Sequence, residues 1–172
     1  MAEEYLLVDG YNIVFAWDEL RKLAEDNLEA ARMKLADILC NYQGYSKKNV
    51  ILVFDGHKAK GNLGSVIPYH NISIIYTKEA ETADQYIEKV TRQFDRKYQA
   101  TVATSDALEQ LIIMGAGAMR LSARELKEEI NRVQKEMKET YIAPIKQKRN
   151  TLLDNLSPEA AALLEKLRNE ET

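Results

Sequence analysis

Four apolar runs in the first two thirds of the chain are long enough for buried strands, and each leads into acidic or hydroxyl residues. YLLV (Tyr5 to Val8) runs into Asp9, VILVF (Val50 to Phe54) into Asp55, ISIIYT (Ile72 to Thr77) toward Glu81 and Asp84, and ATVATS (Ala100 to Ser105) into Asp106. Continuous apolar runs, rather than alternating ones, mark strands covered on both faces, which is the habit of parallel sheets. If these runs are parallel neighbours, their carboxylates collect at one edge of the sheet, where open α/β folds place the ligand crevice.

The segments between the runs are helical in period. Leu20, Leu23, Leu28, Ala31, Leu35, Ile38 and Leu39 recur mostly three or four apart, and Gly44 offers a stop. Thr82 and Gln85 form a capping box for a helix to about Tyr98. Ser105-Asp106 opens an apolar helix that Gly115 or Gly117 ends, and Ser122 with Glu125 opens a long charged helix. A short strand at Met119 to Leu121 precedes that last box. The expectation is an α/β fold with a central, mainly parallel sheet of about five strands. The glycine- and lysine-rich stretch from Gly56 to Gly64 reads as a mobile loop.

After Tyr141 the pattern changes. Pro144 interrupts the helix, Lys146-Gln147-Lys148-Arg149 is basic, and Ser157-Pro158-Glu159 suits the start of a last helix to about Arg168. The division expected is a domain over 1–141 and a helical C-terminal extension over 142–172. Its leucines, Leu152, Leu153, Leu156, Leu163, Leu164 and Leu167, suit a helix packed on its own domain as well as one docked on a partner.

Composition narrows the chemistry. One cysteine, Cys40, allows neither a disulfide framework nor a cysteine zinc site. Met1 leads straight into a strand, and no run approaches the roughly 20 apolar residues of a membrane span, so a cytoplasmic protein without a membrane partner is expected. Gly115-Ala116-Gly117 follows a helix and lacks the third glycine of a dinucleotide fingerprint, so no nucleotide cofactor is expected. The net charge of -3 excludes a uniformly basic nucleic-acid coat but permits a basic patch beside an acidic pocket.

Carboxylates gathered at a strand edge repel one another unless cations bind. All the candidate ligands are oxygens, which suits Mg2+ or Mn2+, and such a site neutralises a phosphodiester and activates water. His57 and His70 lack metal-ligand spacing. Lys58, Lys60, Lys146, Lys148 and Arg149 are the cations available for phosphates. Tyr11, Trp17 and Tyr86 can stack bases, and are equally candidates for the core. Taken alone, Asp106 with Glu109 three residues on also reads as a helix cap, and Asp55-Gly56 as an ordinary turn.

The motifs VDGYN (Val8 to Asn12), VFDGH (Val53 to His57), ETADQYI (Glu81 to Ile87) and ATSD (Ala103 to Asp106) resemble, in the same order, those of the NYN branch of the PIN-like nucleases, and in particular the bacterial YacP-like family. The resemblance covers about Tyr5 to Glu139. It implies a three-layer PIN-like sandwich and a magnesium-dependent endoribonuclease acting on single-stranded messenger RNA in a translation setting, with the ribosome as a partner. Carried over by residue, it makes Asp9, Asp84 and Asp106 the metal-binding and catalytic core. Asp55 and Glu81 become supporting acids, Asn12 orients a ligand or water, and Ser105 helps to hold the site. A non-catalytic RNA- or ribosome-binding module with the same fold is the alternative. A phospho-aspartate phosphatase using Asp9 fits less well, because Tyr11 stands where a second aspartate is expected.

Overall fold

The computed structural model describes residues 2–58, 63–94, 97–115, 117–142 and Glu159. The chain divides into two compact units, 1–133 and 134–172. The first holds the sheet. Its strands are β1 (Glu3–Asp9), β2 (Asn49–Phe54), β3 (Val66–Tyr69), β4 (Ile72–Tyr76), β5 (Tyr98–Ala103) and β6 (Met119–Leu121), in the spatial order β3-β4-β2-β1-β5-β6. All neighbours are parallel except β3 with β4. The sheet is therefore mainly parallel, as expected, with one strand more than the sequence showed. That strand is VIPY, largely exposed and interrupted by Pro68, so it lacks the apolar run that marked the others. An edge position tolerates the missing N–H of proline. A tight turn at His70, whose φ is 50°, folds β3 back onto β4.

Alternation along the central strands sends side chains into two cores. Leu6 and Val8 of β1, with Val50, Leu52 and Phe54 of β2, pack under α1 (Gly10–Ala16), α2 (Asp18–Asp26), α3 (Leu28–Ser46) and α6 (Ala123–Met137). Leu7, Val53, Ile75 and Val102 face the other way, toward Ala83 and Ile87 of α4 (Ala83–Gln93). Helix α5 (Ala107–Gly115) follows β5. Two helical layers enclose the sheet, which is the three-layer arrangement expected.

The long periodic stretch from Leu20 to Leu39 breaks into two helices at Asn27, whose extended backbone and side chain cap α3 through Ala30 N–H. Gly44 lies inside α3, and the stop falls at Lys47 in a left-handed conformation. Helix α4 ends at Gln93 rather than near Tyr98, because Phe94 turns out to pack its ring against Tyr5 and Tyr98. Both capping boxes form, Thr82 with Gln85 and Ser122 with Glu125. In the second unit, the described residues continue α6 into a π-helical turn, Lys138–Ile142. The rest of the expected extension, with Lys146, Lys148 and Arg149, lies outside the described residues apart from Glu159, and so does Lys60.

Candidate active site

Asp9 is the last residue of β1 and shares the face of Leu7, two residues back, so it points to the side of the sheet that carries α4. Asp84 stands in the first turn of α4, held there by the Thr82 capping box. Glu109 stands in the first turn of α5. One carboxylate oxygen from each lies within 4.8 Å of the other two. Asp9 and Glu109 are each only 5% exposed, so their charges have little water to stabilise them.

The surrounding groups fix these acids without neutralising them. Thr104, fully buried, donates its hydroxyl to Glu109 Oε2 at 2.7 Å and accepts the Asp106 N–H at 3.1 Å. Gln110 Nε2 donates to the Thr104 carbonyl at 2.7 Å. Glu109 Oε1 is buried and has no hydrogen-bond donor. A buried acceptor without a donor is costly, and a proton or a cation is what relieves it. Taken as protein groups alone, Asp9 holds its proton: burial first, then the Glu109 and Asp84 carboxylates, push it up to about 9. Burial also lifts Glu109 to about 7, with the Thr104 hydrogen bond opposing and Asp84 adding to the rise.

The residues singled out from the sequence separate into distinct roles. Asp9 and Asp84 belong to the cluster. Asp106 stands beside it, and its Oδ1 accepts the Glu109 N–H at 3.3 Å, capping α5. Asp55 Oδ1 accepts the Ala83 N–H at 2.6 Å, capping α4 from the end of β2. Glu81 pairs with Lys89 at 2.9 Å, away from the cluster. Asn12 Oδ1 accepts the Ser105 N–H at 2.9 Å and also the Ser105 hydroxyl, so it ties α1 to the turn after β5. Helix α1 begins directly at Gly10, which puts Asp9 at its N-cap position, but the Asp9 side chain makes no capping hydrogen bond. Its carboxylate is thus left to the cluster.

Glu109 was not among the site residues read from the sequence. A signal for it exists: α5 reads ALEQLIIMG, and Glu109 is its one charged residue, in a helix otherwise apolar but for Gln110, a turn after a strand end.

The cluster opens into a cleft of about 460 Å³ lined by Asp9, Tyr11, Asn12, Phe15, Ala16, Asp55, Lys58, Asp84 and Ser105. Lys58 Nζ lies over the Tyr11 ring, 5.1 Å from its centroid, which brings a cation to the wall of the cleft. Tyr11 and Trp17 are core residues; the Tyr11 hydroxyl accepts from Arg32 at 3.2 Å and Trp17 Nε1 donates to the Ala123 carbonyl at 2.8 Å. Three convergent carboxylates, one with an orphaned buried oxygen, fit a hard divalent cation such as Mg2+ or Mn2+ and offer none of the nitrogen or sulfur donors that favour zinc.

Comparison with known proteins agrees with this geometry. The YacP-like NYN domain model matches residues 6–169. Over 133 residues the chain is 44% identical to the uncharacterized protein YacP of Bacillus subtilis (strain 168), covering 77% of this chain and 78% of that protein. The crystal structure of Rae1 (YacP) from Bacillus subtilis superposes with a TM-score of 0.72 at 39% identity, covering 97% of this chain and 95% of that one. Its W164L mutant gives 0.72 at 35% identity, with 95% and 99% covered. With the family model matching most of the chain and 44% identity to YacP, the chain belongs to the YacP-like NYN domain family.

Proposed function

We propose that the chain is a metal-dependent endoribonuclease that cleaves single-stranded RNA, messenger RNA in a translation setting, with the ribosome as a partner and the cytoplasm as its compartment. The observation that carries the reading is the convergence of Asp9, Asp84 and Glu109, the first two lining a cleft that Lys58 also lines. A Mg2+ or Mn2+ ion held by these three carboxylates would neutralise charge on a phosphodiester and lower the barrier to attack by water. Thr104 fixes the rotamer of Glu109, and Asp55 and Asp106 fix the helix starts that deliver Asp84 and Glu109. Lys58 attracts the phosphate backbone. Asn12 and Ser105 hold the rim through their mutual hydrogen bonds. No side-chain nucleophile is required.

The test is cleavage of an end-labelled single-stranded RNA by the purified chain with Mg2+ or Mn2+ added, and its loss in chelator. Internal cuts are expected. Asp9→Asn, Asp84→Asn and Glu109→Gln should each lower the rate by about two orders of magnitude, as loss of a metal ligand does. Asp106→Asn keeps the capping oxygen and should cost less. Binding of RNA or ribosomes without cutting, at saturating metal, would overturn the nuclease reading in favour of a non-catalytic binding module.

A further inference from the structure

Phe15 is 46% exposed on the last turn of α1, and it lines the same cleft as Asp9 and Asp84. Its neighbours give it a defined orientation. The Tyr11 ring, itself 3% exposed, lies nearly parallel to it at 24°, with centroids 6.3 Å apart. Tyr11 is held in turn by Arg32, a buried arginine of α3 whose NH1 donates to the Tyr11 hydroxyl. Lys58 Nζ stands 6.0 Å from the Phe15 centroid. The part of the ring left in water beside the acids adds nothing to folding. A ring flanked by a second aromatic, with a long lysine side chain over it that can turn to a phosphate, is an arrangement that can receive a nucleobase and hold the adjoining phosphate on the lysine.

We propose that Phe15 is a base-stacking residue that positions a nucleotide of the single-stranded substrate next to the acid cluster, with Lys58 receiving a neighbouring phosphate. The inference rests on the reading of the cleft as an RNA-cleaving site, and it assigns how the strand is registered there. Stacking does not discriminate strongly among bases, so Phe15 sets position and single-strandedness rather than sequence. A paired base keeps its faces covered by its neighbours and has no face to offer.

The test uses the full chain and a short fluorescein-labelled single-stranded RNA, with a second version abasic at successive positions. Wild-type cleavage with Mg2+ is measured first. Affinity is then followed by anisotropy in the Asp84→Asn background, so that the strand is not cut. Phe15→Ala should weaken binding of the intact RNA roughly tenfold, and Phe15→Trp should restore it. At one abasic position the two variants and the parent should bind alike, because the stacking partner is gone. Equal affinity of Phe15→Ala and parent for intact RNA, or the same loss at every abasic position, would overturn the inference and leave the nuclease reading intact. Weakened, Trp-rescued binding in a protein that cuts no RNA would support the stacking role and sink the nuclease reading instead.

Discussion

At the scale of single residues, Asp9 shows how this site trades stability for binding. Its folded pKa of about 9 stands above the ordinary 3.8, chiefly through burial. A carboxyl whose folded pKa is raised contributes its full stabilisation below the unfolded pKa and loses it as pH rises through the folded one. Without divalent ions, the protein should therefore lose stability between about pH 4 and pH 9 on account of Asp9. Asp9→Asn removes the titration, so its melting temperature in chelator should exceed that of wild type by a margin that grows across this window. In saturating Mg2+ the order should reverse, because the wild type alone gains a full set of ligands. Thermal melts in both conditions decide it; a margin that does not change with pH would mean that Asp9 is ionised in the folded protein throughout. Glu109, raised to about 7 with burial again the leading cause, adds to the same trend.

At the scale of elements, the site depends on where two helices begin. Asp55 receives the Ala83 N–H at 2.6 Å, so β2 fixes the first turn of α4, the turn that carries Asp84. Asp55→Ala should cost about 1 kcal/mol, the usual worth of an N-cap, which for a chain of this size is a fall in melting temperature of about 3 °C. Asp55→Asn keeps the accepting oxygen and should recover that stability. If it also recovers cleavage, Asp55 acts through the cap; if stability returns but cleavage does not, its charge is needed in the cleft. The strand-end acids were legible because continuous apolar runs and their termini are local in sequence. The cap role of Asp55 was not, because it acts on a backbone N–H 28 residues away, which the β4–β2 pairing helps to bring near. Glu109 escaped notice as a site residue for a similar reason: it lies after β5 beside Asp106, and its place near Asp9 depends on the turn at Thr104, whose hydroxyl accepts the Asp106 N–H and donates to Glu109 Oε2. Strand β3 escaped notice because an exposed edge needs no apolar pattern.

At the scale of the whole molecule, charge decides how a polyanion can approach. The chain carries a net -3, and Asp9 and Asp84 of the acid cluster line the cleft. A phosphate backbone meets repulsion there unless the acids are balanced by cations, while Lys58 on the wall pulls in the opposite sense. Two substitutions in one cleft should thus shift RNA affinity in opposite directions. In chelator at low salt, Asp84→Asn should bind single-stranded RNA several-fold more tightly than wild type even though it no longer cuts, because one repelling charge is gone. Lys58→Ala should bind less tightly and flatten the log-log salt dependence by about one unit, the loss of one phosphate contact. Both effects should shrink together as salt rises past about 0.15 M, where the screening length falls to roughly 8 Å. Anisotropy titrations across a salt series measure all three quantities. Shifts of the same sign, or shifts that salt does not touch, would show that the strand does not cross this cleft, and the RNA path would then have to be sought on another face of the sheet.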